Sequence, residues 1–411
     1  MKVIYFCLFL ALAAVFLVRI VLLSPKDQPY RDGQKITLLT RIESSPKVKG
    51  TLQTFRVHPR RYEPITVTAP SYQRLYYGQK VKLSGTLKRR MLEDKRVVNS
   101  IYFPIITLHQ EQGLLFVLRQ RVTQVFEGIL PPDHARLLLG VSFGMKEPFS
   151  PAFSEAVKQV GLLHVIAASG MNITLLVGAL VAILGRLFSR KTTIISTLLC
   201  IICYAAYAGF EPSIVRASIM GSLALFAGLM GRQYFGLWAL FLTAYVMIML
   251  DVRILHDVGF HLSFLATLGI IIIKPLLSLS ILKPLGVIGD DLTTSMSAQV
   301  TTVPLLLGTF GEFNLLSLLA NAAILWTVPP LMILGGIGAI ASFIFEPLAV
   351  FVLFVTYPLL SVFILSVEMF SLVTWRIEVS KLPVWIGILY YIVICILIVL
   401  LRRLNIGDKH E

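Results

Sequence analysis

The feature that most constrains this chain is a series of about ten apolar runs, each near the roughly 20 residues a helix needs to cross the hydrocarbon core of a bilayer. They fall near residues 3–23, 158–185, 192–209, 213–231, 234–250, 257–274, 290–308, 314–345, 347–372 and 383–402. Soluble domains are about 45–50% apolar and about 25% charged. Here 56% of residues are apolar and 14% charged, so the chain reads as a polytopic α-helical membrane protein. The 314–345 run is too long for one straight span and holds Pro329-Pro330. It is expected to be a broken helix or two half-helices, which persist only where protein or water faces the break. The first run follows Lys2 and exits through Leu22-Leu23-Ser24-Pro25, without a small-residue cleavage site. Residues 1–25 are therefore expected to be an uncleaved anchor helix.

One long polar segment interrupts this pattern. Within residues 26–111, Lys35–Ile42, Gly50–His58, Ile65–Thr68, Lys80–Leu87 and Ile101–Leu108 alternate or carry β-branched residues, with Pro, Gly and Ser clusters between them. That is a strand signature, and five short strands in this length fit a small barrel of the OB type. The formal charge of the chain is +15. Between Ser24 and Glu111 there are 17 Lys and Arg against 7 Asp and Glu, so most of the excess lies here. A basic domain beside a membrane core suits an anionic partner, nucleic acid or lipid head groups, and equally suits plain solubility. Candidate contacts for a single strand are Arg56, Arg60, Arg61, Arg74, Lys88, Arg89 and Arg90, with Phe55, Tyr62, Tyr72, Tyr76 and Tyr77 to stack bases. The bland alternative places the aromatics in the core and the charges on a solvated face.

Residues 112–157 read as interfacial amphipathic helices. In 112–130 apolar side chains at helical spacing oppose Arg119, Arg121 and Glu127, and Pro131-Pro132-Asp133 opens the next helix. Arg186, Arg190, Lys191, Arg232, Lys274, Lys283, Arg402 and Arg403 follow or separate the runs. Assigned to the cytoplasm by the positive-inside rule, they put both termini inside and the β domain outside. Cys200 and Cys203 form a C-x-x-C, but inside an apolar run this is packing rather than redox chemistry. Cys7 and Cys395 are likewise in apolar runs.

Polar side chains are costly in lipid, so they mark where function should be sought. Four segments concentrate them. Gly161–Thr174 (GLLHVIAASGMNIT) holds His164, Ser169 and Asn172. Gly209–Met220 (GFEPSIVRASIM) holds Glu211 and Arg216. Asp257–Gly269 (DVGFHLSFLATLG) holds Asp257 and His261, one turn apart. Ser297–Asn321 holds Gln299, Thr301, Thr302, Pro304, Asn314 and Asn321. Any single member is more simply a polar group answered inside the bundle. Four such segments, broken by Gly and Pro, suggest a lined cavity or pore.

These same residues carry a resemblance. Leu137-Leu138-Leu139-Gly140 followed by Gly161-Leu162-Leu163-His164-Val165-Ile166-Ala167-Ala168-Ser169-Gly170 resembles the signature of the ComEC family of competence DNA-uptake channels. Pro212-Ser213-Ile214-Val215-Arg216-Ala217 is similar to its P-S-x-x-R-A run. Val258-Gly259-Phe260-His261-Leu262-Ser263-Phe264-Leu265-Ala266 resembles its G-F-x-L-S-F-x-A run, and Ala298-Gln299, Thr302-Val303-Pro304 and Asn321 follow its later pattern. The match covers about residues 130–345 in order, and 158–404 would be the competence membrane domain. Two departures stand out. Met171-Asn172 replaces the family's usual Leu-His. No H-x-H-x-D-H run occurs, so the chain is expected to be the form without the C-terminal metallo-β-lactamase-like domain, with no dinuclear metal site and no nuclease activity. Gly185–Thr192 (GRLFSRKT) lacks the glycine before lysine of a phosphate-cradling loop, so no ATP motor is expected.

The resemblance implies a passive channel, not an enzyme, in the cytoplasmic (inner) membrane of a bacterium, with no cofactor. Its partners would be single-stranded DNA, membrane lipids, a DNA receptor, a cytoplasmic motor protein and further copies of the chain. Arg216 would meet phosphates near the outer mouth, held by Glu211, and His164, Asn172, His261 and Gln299 would line the path, with Ser169, Asp257 and Asn321 as further path candidates. Two other functions compete. One is an intramembrane serine protease with Ser169 as nucleophile and His261 as base. The other is a transporter of another anion, such as a lipid or sugar phosphate.

Overall fold

In a computed structural model the described residues are 30–43, 46–57, 59, 63–73, 75–76, 78–91, 97–108, 113–145, 147–166, 170–277, 286–314, 317–373, 376–378 and 383–407. The expected anchor helix lies outside them. The polar segment folds as strands β1 (Lys35–Arg41), β2 (Lys47–Lys49), β3 (Leu52–Val57), β4 (Ile65–Pro70), β5 (Lys80–Met91), β6 (Val97–Tyr102) and β7 (Ile105–Leu108). Their order is β1-β5-β6-β4-β3-β2, with β7 pairing β5 beside β6. All pairs are antiparallel except β4 with β6. An Ile42–Val57 bridge joins the end of β1 back to β3, so neighbouring strands run round a ring.

Alternation builds the core of this domain. Phe55 and Val57 of β3, Ile65 and Val67 of β4, Val81, Leu83 and Leu87 of β5, and Ile101 of β6 are buried together. Residues between them face outward, as period-2 side-chain alternation requires. Gly85 sits where β5 passes from pairing β1 to pairing β6. A Cβ there would stand 2.8 Å from Ile101 Cγ2, so the close strand approach needs glycine. The expected fifth strand is two, β6 and β7, separated by Phe103 at φ 51° and Pro104.

The helical part begins with α1 (Leu114–Ile129), α2 (Pro132–Phe143), α3 (Pro151–Val160) and the single turn α4 (Leu163–Ile166). Then follow α5 (Gly170–Leu187), α6 (Arg190–Ala208), α7 (Pro212–Leu229), α8 (Gly236–Leu250), α9 (Val258–Ile272), the short α10 (Lys274–Leu277) and α11 (Gly286–Phe310). After these come α12 (Ser317–Ile324), α13 (Val328–Ile344), α14 (Glu346–Ser371) and α15 (Val384–Gly407). Six of the described helical segments are long and apolar enough to cross a membrane: α5, α6, α7, Val258–Leu277, Ser317–Ile344 and α14. Gly236–Leu250 and Trp385–Leu400 are shorter apolar helices. The chain is thus a helical membrane protein carrying a small β domain.

Two expected spans are broken. The 158–185 run is divided by Gly161, whose φ of 78° ends α3 in a left-handed cap. The 314–345 run is broken as its prolines suggested: α12 gives way at Leu325–Thr327 to one 3-10 turn, and Pro329-Pro330 start α13. A strand pair, β8 (Glu312–Asn314) with β9 (Arg376–Glu378), ties the end of α11 to the approach to α15. The largest core joins α1, α2, α3 and α12–α14 around Phe126, Leu138, Leu331, Leu353 and Phe363. Gly335 and Gly338 let α13 lie against Ser142 and Leu138 of α2 and Leu353 of α14, the small-residue packing that membrane helices use.

Candidate functional site

The four polar segments meet in a circuit. Gly170, the first residue of α5, lies under Arg216 of α7, whose Nη2 is 2.6 Å from where a Cβ on that glycine would be. Arg216 Nη1 donates to the Ser263 carbonyl on α9 at 3.1 Å. Gly269 of α9 lies directly on the Ser297 carbonyl and Thr301 of α11, and Thr301 Oγ1 donates to the Leu265 carbonyl at 2.7 Å. Gln299 of α11 donates from Nε2 to Ser317 Oγ of α12 at 3.1 Å. Ser317 in turn abuts Gly161, 3.2 Å from the site of a Cβ, and Asn314 Nδ2 donates to the Gln159 carbonyl. The first segment is thereby reached again.

The individual residues play different parts. Asn172 is 1% exposed; its Nδ2 donates to the Val141 carbonyl at 2.7 Å and toward Tyr204 Oη at 3.4 Å, while Tyr204 donates to the Ser142 carbonyl. It pins α5 and α6 onto the end of α2. Asp257 caps α9, accepting from the Phe260 amide at 2.8 Å. His261 donates from Nε2 to the Leu255 carbonyl at 2.8 Å. Glu211 occupies the N-cap position of α7, where a carboxylate is favoured by the positive helix end. His164 falls in α4; its side chain, and Ser169, lie outside the described residues. Three side chains of the four segments stay unanswered: Arg216 Nε, Ser218 Oγ and Asn321 Oδ1 are buried with no hydrogen-bond partner among the described residues. Such orphans each cost about 1–3 kcal/mol, and native folds carry few of them.

Pro304 lies inside α11 and removes the amide that would bond the Val300 carbonyl. Tyr390 and Tyr391 of α15 donate to the Val300 and Thr301 carbonyls, both at 2.9 Å. Arg119, expected on the polar face of an interfacial helix, instead ties three parts together. Its Nε and Nη2 donate to the Tyr207 carbonyl at the end of α6, and its guanidinium lies 5.6 Å from the Tyr207 ring centroid. Its Nη1 also faces Gly78 of the β domain, beside an edge-on Tyr76–Phe116 contact.

In the β domain, Arg56, Lys88 and Arg90 are exposed, and Lys88 Nζ lies 5.9 Å from the Tyr102 ring centroid. Arg89 is drawn inward: its amide donates to Asp32, its Nη1 to the Tyr30 carbonyl at 2.8 Å, and its Nη2 pairs with Glu63. Phe55 is core, Tyr72 is exposed, and Arg60, Arg61, Arg74, Tyr62 and Tyr77 lie outside the described residues. Sequence reading missed Tyr102 and Arg119. Alternation along β6 was the available signal for Tyr102; nothing in the sequence signalled the partner of Arg119.

Residues 141–404, which contain most of this circuit, match the family described as competence protein. The chain belongs to the competence protein family. This bears out the ComEC resemblance, and the matched stretch contains Asn172, Arg216, His261, Gln299 and Asn321. The chain is 28% identical over 206 residues to ComE operon protein 3 of Bacillus subtilis (strain 168), covering 50% of this chain and 26% of that protein. It is 25% identical over 275 residues to an uncharacterized protein of Aquifex aeolicus (strain VF5), covering 66% of this chain and 62% of that one. The chain therefore spans less than two thirds of either relative. No solved structure matches it.

Proposed function

We propose that this competence-family chain is a channel through which single-stranded DNA crosses the cytoplasmic membrane of a bacterium during natural transformation. The observation that carries the reading is the position of Arg216. Its guanidinium sits on the first residue of α5, inside the circuit of four motifs, with a buried Nε that has no hydrogen-bond partner among the described residues. A cation against the positive end of a helix is an unfavourable pair until an anion joins it, and a phosphodiester is such an anion. Family membership and the Bacillus relative support a role in DNA uptake.

The finer reading has ten crossings, counting an anchor in residues 1–25, with both termini cytoplasmic and the β domain outside. The strand order, the parallel β4–β6 pair and the Ile42–Val57 bridge support an OB-type barrel. Its Arg56, Lys88, Arg90 and Tyr102 would gather the strand. The chain would supply neither nuclease nor ATPase; a DNA receptor and a cytoplasmic motor would complete the route.

The test is transformation and surface DNA binding in the native host carrying wild type, Arg216→Ala or Arg216→Lys at matched protein levels. Arg216→Ala is expected to abolish transformation while DNA still binds the cell surface, and Arg216→Lys to restore part of it. Undiminished transformation in a deletion strain, with loss of uptake of a small anion, would replace this reading with the anion transporter.

A further inference from the structure

The β domain turns two differently composed faces outward. On one, Arg56, Lys88, Arg90 and Tyr102 combine fixed cations with an aromatic ring. On the other, formed by β1, β5 and β7, the register sets Leu39 opposite Lys82 and Lys82 opposite Thr107; the adjacent row is Thr37, Ser84 and Ile105. Lys35 and Arg41 flank these rows on the same side of β1, by strand period. Leu39 is 62% and Ile105 73% exposed. The sequences of the three strands contain no acidic residue.

This second face has no ring on which a base would stack. It combines branched aliphatics left in the open with long cationic chains. At a membrane surface such aliphatics enter the acyl boundary while lysines keep their charge at the head groups. The face is also continuous with a surface of the same kind. Arg41 Nη2 comes within 3.8 Å of a Cβ placed on Gly113, the residue that starts α1. The first turn of α1 then exposes Leu114 (74%) and Val117 (51%).

We propose that the β1–β5–β7 face of the β domain docks onto anionic phospholipid head groups of the membrane that holds the helices. Docking fixes the height of the domain and leaves the Tyr102 face turned away from the bilayer. The inference does not depend on DNA being the cargo.

It is tested with the full chain in nanodiscs containing phosphatidylglycerol, with the photoreactive residue p-benzoylphenylalanine placed at Leu39, Ile105 or, as a control on the other face, Thr66. Lipid adducts read by mass spectrometry are expected at 39 and 105 and not at 66. Each basic residue near an anionic surface is worth about 1 kcal/mol, so Lys82→Gln should cut the adduct yield roughly 5-fold and Lys35→Glu more. Should the charge reversal unfold the domain, Lys82→Gln, which keeps the strand pattern, still decides the matter. Absence of lipid adducts at 39 and 105 in a chain with unchanged thermal unfolding would overturn the proposal. So would equal yields in purely phosphatidylcholine nanodiscs, or transfer of the crosslink to an added single-stranded oligonucleotide.

Discussion

The β domain and the helical bundle meet the same demand, a partner for every buried polar group, by opposite means. In the β domain, ladders take care of the backbone, mostly aliphatic side chains fill the interior, and the cations Arg56, Lys88 and Arg90 stand outside, with Arg89 drawn in to Glu63. In the bundle each helix bonds its own backbone, and the polar side chains reach across to carbonyls of their neighbours: Arg216 to Ser263, Thr301 to Leu265, Asn172 to Val141, Tyr390 to Val300. Glycines make those reaches short. The domain therefore tolerates change on its outer face, whereas the bundle is sensitive wherever two helices touch.

The strongest test of this contrast is Gly269→Leu. The side chain would occupy the space of the Ser297 carbonyl and Thr301, so α9 and α11 must separate. Overpacking typically costs about 1–3 kcal/mol and more where backbone is struck. The expected outcome is loss of folded protein by thermal unfolding in detergent, while Gly336→Leu, which meets nothing within 4 Å, leaves the melt unchanged. A Gly269→Leu protein that melted like Gly336→Leu would erase the distinction. Next is Arg119→Ala, which removes two charged hydrogen bonds to the end of α6. Hydrogen bonds to charged groups are worth about 1.5–3 kcal/mol each, so the melt should fall clearly, with proteolysis first appearing at the junction of the β domain and α1. An unchanged cleavage pattern would show that the two regions hold together without it. The smallest effect belongs to Tyr390→Phe with Tyr391→Phe. Hydrogen bonds between membrane helices average about 0.6 kcal/mol, so the pair should lower stability by about 1 kcal/mol in a steric-trapping or denaturant measurement. A loss of several kcal/mol would mean that the Pro304 site dominates the packing of α11.

Much of this was legible in the sequence where one residue type decides the outcome. Apolar runs marked the six described segments long enough to cross a membrane, alternation placed most of the strands, and Pro329-Pro330 marked the break between α12 and α13. The four motifs were named in order, and the circuit brings them together. What escaped was decided by local backbone conformation or by a partner elsewhere in the fold. Gly161 ended α3 by taking a left-handed conformation, a choice glycine permits but does not announce. Phe103 split the last expected strand through a positive φ. Arg89 and Arg90 are adjacent and chemically identical, yet one is drawn to Glu63 and the other is exposed, because successive side chains of β5 point to opposite faces. Asp257, a path candidate, also caps α9, while Arg119, read as part of the polar face of an interfacial helix, joins α1, α6 and the β domain.

The tyrosines that answer α11 come 90 residues later in the chain than the carbonyls they serve. Synthesis is vectorial, so for the time needed to make that stretch the Pro304 break of α11 is without these tyrosines. The side chains that answer these carbonyls arrive only with α15, so this part of α11 stays incomplete until α15 is made. A chain stopped before residue 390 would therefore carry α11 with both the Val300 and Thr301 carbonyls lacking these tyrosine donors.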